Sequence, residues 1–311
     1  MDDIFFYDFN LTLRFVLSSK SGYMFVNGKQ ELQGSGSFQM TFKDKEIEEF
    51  VKTNPDGIIV KWRDFWGVIS DYNFTDTKDT LYGEHLNVLL FKSVIPKQTF
   101  TGPVNSLVNS IIARYYPWLT FVAEAGITYP SVTYELTTYQ NGDSVIQALC
   151  KMSGVGYEVY IGDGGFEFRL ITPTSNPLML SENNLNAYEF TEDFDGKKVA
   201  YGGWYEEEQE EGDPIWKYIE RESRSGIEKQ DIVLKAKNKI EAEAELDDYI
   251  GTKKLNCKTK NISYGLDYKI GDIVRIQFDS TESRTVTAIE RYQENGKYEE
   301  NPTFEKLEVK A

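Results

Sequence analysis

The chain is poor in the residues from which most enzyme chemistry is assembled. A single histidine, His85, occurs in 311 residues, and the two cysteines, Cys150 and Cys257, lie far apart. A zinc site, or a Ser-His or Cys-His nucleophilic system, would have to be built around His85 alone. Two cysteines make no disulfide scaffold, and both read as buried thiols of a reducing cytoplasm. No stretch approaches the roughly 18 consecutive apolar residues of a membrane-spanning helix. The first thirty or so residues lack the basic start, apolar run and small-residue cleavage site of a secretory signal. Positive charge is also scarce, with Lys+Arg 34 against Asp+Glu 50 and a formal net charge of −16. That balance argues against a surface made to grip phosphates. No Gly-x-Ser-x-Gly elbow occurs.

What is present points to strands. Hydrophobic residues make up 40% of the chain and aromatics 14%, with Tyr 20, Phe 19 and Trp 5, enough to bury a core. The aromatics sit in short runs with Thr, Val and Ile, which suit a pleated, half-buried surface. Phe9, Leu11, Leu13 and Phe15 alternate with period two, as do Gly36, Phe38, Met40 and Phe42. Between them Gly22, Gly34-Ser-Gly36 and above all Asn27-Gly28 supply turn chemistry, the last as a two-residue hairpin signal. Ile47 to Lys52 fits a short helix or a strand edge. Two strands at Ile58–Trp62 and Trp66–Ile69, then a largely apolar run from Leu81 to Phe91, complete a strand-rich first hundred residues.

At Gly102-Pro103 the period changes. Val104, Leu107, Val108, Ile111, Ile112 and Tyr115 fall on one helical face, with Pro103 at the first helical position and Tyr116-Pro117 as the stop. A second helix is expected from an N-cap at Asp143 or Ser144, with Gln147 completing a capping box, to Gly154. Strands at Tyr157–Ile161 and Phe166–Ile171 flank the Gly162-Asp163-Gly164-Gly165 turn. From Leu185 strands return at Ala187–Phe190, Lys198–Tyr205 and Pro214–Arg221. A third helix is expected over Asn238 to about Tyr249, and Leu255–Val309 is strand again, with Gly271-Asp272 leading into Ile273–Ile276. The fold class is mainly β with an α/β insertion (α+β). Residues 1–100 form a first β-domain, 101–184 an α/β domain with two helices, and 185–311 a second β-domain. That last part holds the short helix near 238–249 and room for a small C-terminal β subdomain.

No constellation of residues makes an enzyme. Fifty acidic residues could supply paired carboxylates, but a glycosidase needs two at a defined separation across a cleft, and the sequence places no such pair. Trp62, Trp66, Trp118, Trp204 and Trp216 could stack on sugars, although aromatics in a β-protein more often pack in its core. The run from Glu206 to Asp213 reads as a solvated hairpin tip. Asp193-Phe194-Asp195-Gly196 resembles a calcium loop only in part. In that register Thr191 and Gly202 would occupy the first and closing positions, and neither offers a carboxylate. The Gly162–Gly165 turn lacks a phosphate-loop lysine. His85, inside a strand-like run, reads as a structural histidine. Catalytic, metal and cofactor residues are therefore expected to be none.

The order of five segments carries a resemblance. They are Gly36-Ser-Phe-Gln-Met-Thr-Phe42, Trp66-Gly-Val-Ile69, and Leu81-Tyr-Gly-Glu-His-Leu-Asn-Val-Leu-Leu90. The paired helical segments 104–115 and 144–153 follow, the second ending in Gly154-Val-Gly-Tyr157. Last comes Tyr264-Gly-Leu-Asp-Tyr-Lys-Ile-Gly-Asp-Ile-Val274. In this order the chain resembles the tail-hub (baseplate hub) proteins of tailed bacteriophages, in particular the N-terminal hub module of siphovirus tail-associated proteins. It departs from them at His85, where the family has Asp or another short polar residue. The resemblance implies two barrel-like, tube-type β-domains packed side by side, with the α/β unit outside. It further implies a homotrimeric ring at a virion tail tip, assembled in the cytoplasm of a bacterial host, that joins the tail tube to the tip. Its implied partners are tail-tube and distal-tail proteins, the tape-measure protein and tip or fibre proteins. It implies no catalysis, no cofactor, no sequence-specific nucleic-acid binding and no membrane insertion. With the last residue at Ala311, no lysin or receptor-binding region is expected after the hub module. Like charge on a channel wall would let DNA pass without sticking. A glycan- or receptor-binding β-module is the alternative, and a carboxylate-dependent glycan hydrolase a more distant one.

Overall fold

The computed structural model describes residues 2–18, 23–54, 57–181, 183–192, 202–207, 214–221, 231–249, 253–277, 281–294 and 297–305. Strands β1 (Ile4–Asp8) and β2 (Leu13–Leu17) form an antiparallel pair. The alternation through Phe9, Leu11, Leu13 and Phe15 therefore does not follow one strand. The Asp8 carboxylate accepts the backbone N–H groups of Asn10 and Thr12 at 2.9 and 3.0 Å, Leu11 adopts φ +60°, and the chain reverses. An Asx-type turn of this kind wins over a period-two pattern.

Strands β3 (Tyr23–Glu31) and β4 (Ser37–Phe42) pair next. The hairpin expected at Asn27-Gly28 is absent, because both residues lie in the middle of β3. Gly28 is there for space: a Cβ would stand 3.0 Å from the Phe65 ring packed over it. Glycine inside a strand commonly marks such a close approach. Helix α1 (Lys45–Thr53) begins at Asp44, whose carboxylate accepts from the N–H groups of Glu46 and Ile47, and it buries Ile47 and Val51. Strands β5 (Ile58–Trp62), β6 (Phe65–Phe74) and β7 (Asp79–His85) close the unit. The sheet order β3-β4-β7-β6-β5-β1-β2 wraps round a core that includes Ile4, Phe6, Val26, Met40, Phe42 and Trp62.

A 3-10 helix (Leu86–Lys92) then leads through β8 (Val94–Ile95) and β9 (Gln98–Pro103) into α2 (Val104–Tyr115). After β10 (Thr120–Phe121), β11 (Ser131–Leu136) and β12 (Gln140–Asn141) comes α3 (Gly142–Ser153). The capping expectation for α3 does not hold. Asn141 is the N-cap and makes no side-chain cap bond, while Gln147 reaches out to donate to the Gln33 carbonyl at 2.6 Å. Gly154 ends the helix in the left-handed region at φ +68°. The hairpin β13 (Gly156–Gly162) and β14 (Gly165–Ile171) turns at Asp163-Gly164. This unit has its own core, which also covers the outer side of β5 and β6 through Ile59, Trp66 and Val68.

The chain re-enters the large sheet at β15 (Thr174–Leu180) and continues through β16 (Leu185–Glu192). A small three-stranded sheet follows, formed by β17 (Gly202–Glu207), β18 (Ile215–Glu220) and β19 (Asp231–Val233), with α4 (Lys239–Tyr249) against it. Asn238 caps α4 by accepting the Glu241 N–H at 2.9 Å. Strands β20 (Lys253–Thr259), β21 (Asp272–Gln277), β22 (Thr281–Glu294) and β23 (Lys297–Glu305) enclose a second barrel core with Leu180, Leu255, Val274, Val286 and Phe304. β22 is 14 residues long and belongs to both barrels. Its first half pairs with β21, and its second half, Ala288 to Glu294, pairs antiparallel with β3. One sheet thereby runs β16-β20-β23-β22-β3-β4-β7-β6-β5-β1-β2 across the molecule. The protein is mainly β, with two barrel-like units sharing a sheet and an α/β unit packed on the first.

Candidate functional site

Because side chains alternate along a strand, the β3–β22 seam has two different faces. Val26, Gly28 and Gln30 of β3 and Ile289, Arg291 and Gln293 of β22 point toward the barrel cores and are buried, whereas Asn27, Lys29, Glu290 and Tyr292 do not. The second set, continued by Gln39 of β4, Glu84 of β7, Glu299 of β23 and Lys258 of β20, makes one polar face across both barrels. Polar contacts fix it. Asn27 donates across the seam to Glu290 at 2.7 Å, Lys258 of β20 pairs with Glu299 of β23 at 2.6 Å, and within β3 Lys29 pairs with Glu31 at 2.5 Å. Lys258 and Tyr292 together hold the Glu299 carboxyl below the usual carboxylate range. Carboxylates (Glu31, Glu84, Glu290, Glu294, Glu299) outnumber ammonium groups (Lys29, Lys258, Lys297) on this face. It can repel phosphate while offering hydrogen bonds to water.

The core side of the same seam carries a polar junction. Arg291 is fully buried, donates from Nη2 to Asp64 at 3.0 Å, and lies over the Tyr264 ring at 4.4 Å. Its Nε and Nη1 are buried without a hydrogen-bond partner. Beside it Gln30 donates to Glu158 at 2.8 Å, and Glu158 accepts from Arg169 Nε at 2.9 Å. An incompletely satisfied buried cation gains little from a half-exposed partner such as Asp64. Arg291→Met is therefore expected to leave stability within about 1 kcal/mol of the parent or to raise it. Arg291→Ala, which empties the same volume, should lose about 2–5 kcal/mol. Urea denaturation of the two variants measures the contrast.

His85 ends β7 as a buried structural residue. Its Nδ1 accepts the Asn87 N–H at 3.4 Å, and the Phe65 ring meets it edge-on. Asn87 in turn donates to the Gly34 carbonyl and accepts the Val159 N–H, both at 2.7 Å, tying the first barrel to β13. Burial lowers the His85 pKa from 6.5 to about 4; Glu158 and Asp64 oppose the shift, and Arg291 adds to it. Below pH 6.5 the unfolded chain takes up a proton that the folded one refuses until about pH 4. Stability is thus lost as pH falls through that interval, by at most about 1.4 kcal/mol per pH unit. Denaturation midpoints at about pH 7 and about pH 4.5 should show a larger loss for the parent than for His85→Gln.

The remaining singled-out residues scatter. Trp62 is core, Trp66 packs toward the α/β unit, and Trp118, Trp204 and Trp216 are exposed at 41%, 44% and 54%. Cys150 and Cys257 are free and buried, and burial pushes the Cys257 thiol up to about 12 and raises that of Cys150. Asp193–Gly196 and residues 208–213 of the acidic run lie outside the described residues. Among the described residues, no group of three or more His, Cys, Asp or Glu side chains is placed to hold a metal ion. No helix among them is long and apolar enough to cross a membrane. A shallow cleft lies between α1 and the β6–β7 hairpin. Of the lysines lining it, Lys43 pairs with Asp79 and Lys52 with Glu48. Sequence reasoning missed Asn87, Gln30, Glu158 and Arg291. Only the alternation Ile289, Arg291, Gln293 within a strand pattern hinted that an arginine faces inward.

No protein-family model matches the sequence, and no curated protein matches it. Solved structures do match the fold. A prophage tail protein from Listeria monocytogenes is 12% identical, with 99% of this chain and 95% of that one covered at a TM-score of 0.56. The 43 kDa tail protein of prophage MuSo2 from Shewanella oneidensis is 10% identical, with 97% and 98% covered at 0.57. A tail protein from Neisseria meningitidis is 11% identical, with 99% and 97% covered at 0.58. The likeness spans both barrels and the α/β unit, so the whole chain has the fold of these prophage tail proteins.

Proposed function

We propose that the chain is a structural, non-enzymatic hub of a bacteriophage or prophage-derived tail tip. Three copies form a ring that joins the tail tube to the tip and lets DNA pass. The observation that carries this reading is the shared sheet. β22 locks two barrels side by side and turns a continuous polar, mainly acidic face outward from both cores. Three such chains would line a channel with six barrel units, and the acidic wall would repel phosphate from its surface. The fold shared end to end with prophage tail proteins supports the same assignment. In this reading the neighbours are tail-tube and distal-tail proteins, the tape-measure protein and tip or fibre proteins, and assembly takes place in the host cytoplasm. The test is the solution mass of the purified chain together with negative-stain images of the same sample. A trimer mass with open threefold rings is the expected result. A chain that stays monomeric at every concentration and binds glycans instead would overturn it.

A further inference from the structure

The small sheet β18-β17-β19 has α4 on one side and nothing described on the other. Register assigns its faces. Tyr205 and Ile219 turn inward with Leu234 onto Ala242 and Leu246 of α4. Trp204 stands opposite Tyr218 and Val233, and Glu206 opposite Trp216, on the outer face. Trp204, Trp216 and Val233 are 44%, 54% and 69% exposed. The Trp204 and Tyr218 rings lie 5.1 Å apart at 48° to one another. Three carboxylates share this face. Glu206 flanks Trp216, while Glu220 and Asp231 stand opposite Gly202, Asp231 being held by the Tyr218 hydroxyl at 2.8 Å. The one lysine of these strands, Lys217, lies opposite Tyr205 on the other face and pairs with Glu207.

Two exposed tryptophans on a module this thin mark an interaction surface rather than an accident of packing. The charge decides its occupant. A neutral apolar partner would strip water from the Glu206 and Glu220 carboxylates and give nothing back. A nucleic acid would be repelled. A sugar ring asks for a flat platform, and the tilted Trp204–Tyr218 pair makes a corner. A cation satisfies both features, because its charge meets the ring faces and the carboxylates at once. We propose that this outer face, built on Trp204, Trp216 and Tyr218 with Glu206, Glu220 and Asp231, docks a lysine- or arginine-bearing segment of a partner protein. The proposal goes beyond the hub reading and does not depend on ring formation.

The test titrates the full chain with a fluorescent peptide alternating lysine and glycine. The parent is compared with Trp204→Ala, Trp216→Ala and the double variant Glu206→Gln/Glu220→Gln. A matched control, Glu290→Gln/Glu294→Gln, removes the same charge from the large sheet. Thermal melts confirm that each variant folds, and Trp216→Ala, at the most exposed ring, keeps the test available if Trp204→Ala does not. Each aromatic variant is expected to weaken binding about fivefold or more. The Glu206/Glu220 double variant should weaken it at least as much, and the control less than about twofold. Equal losses in the control and the double variant, unchanged binding in both tryptophan variants, or no binding at low salt would each overturn the proposal. So would tryptophan-dependent binding of a neutral oligosaccharide in place of the peptide.

Discussion

Replacing Trp62 with alanine is expected to destabilise the protein by about 3–5 kcal/mol, the range for emptying a fully buried large aromatic site. Trp62 ends β5 with no exposed surface, opposite Ile4 on β1 and Phe65 on β6. Its ring also meets Tyr298 of β23 edge-on, at 6.0 Å between centroids. Tyr298 belongs to the second barrel by pairing and to the first by contact. The Arg63 guanidinium stacks on the same ring at 3.4 Å. The cavity would therefore open beside the seam rather than deep inside one unit. Both barrels should be weakened and unfold in one transition at a lower urea midpoint. Trp62→Phe, which keeps an aromatic ring there, should lose distinctly less. Two separated transitions in the parent would show that the seam does not couple the barrels.

Gly83→Ala is expected to lose about 3 kcal/mol, at the upper end of the usual overpacking range. A Cβ at Gly83 would fall well inside contact distance of the Val68 carbonyl oxygen, 2.9 Å from its carbon and 3.2 Å from the Ile69 Cα. All three are backbone atoms, so no flexible side chain can yield. β7 lies between β4 and β6, and moving away from Val68 would compress the β4 ladder. The ladder is already irregular here, with a bulge between Ile69 and Asp71. Gly126→Ala is the control. Gly126 sits at φ +80° with nothing within 4 Å of a Cβ. Only the backbone strain of about 1 kcal/mol should be felt there. Thermal or urea midpoints of the two variants separate steric clash from strain.

Local signals carried most of the secondary structure. The helical stripe of Val104, Leu107, Val108 and Ile111 and the stop at Gly154 depend on neighbours a few residues away, and both stand in the structure. Asn27-Gly28 misled because its role is tertiary: a ring contributed from β6 occupies the space that a turn signal cannot report. The Phe9–Phe15 alternation misled because one carboxylate, on Asp8, captures two backbone N–H groups and reverses the chain. The seam was out of reach for a different reason. Pairing β3 with β22 joins residues near opposite ends of the chain, and register over that distance leaves no local trace. With the seam went the polar face, the Arg291 junction and the link through Asn87. The outward Trp204 and Trp216 were visible as tryptophans, but their shared face needed the register of the small sheet.

In the proposed hub, the polar face of the shared sheet is the wall of a channel. A three-dimensional reconstruction of the assembled particle measures that directly. The expected result is a threefold ring in which β3 and β22 line the opening, with Glu290, Tyr292 and Glu299 facing the lumen and the α/β unit on the outside. A ring in which this face lies against a neighbouring subunit or faces outward, or a lumen lined with lysine and arginine, would contradict it.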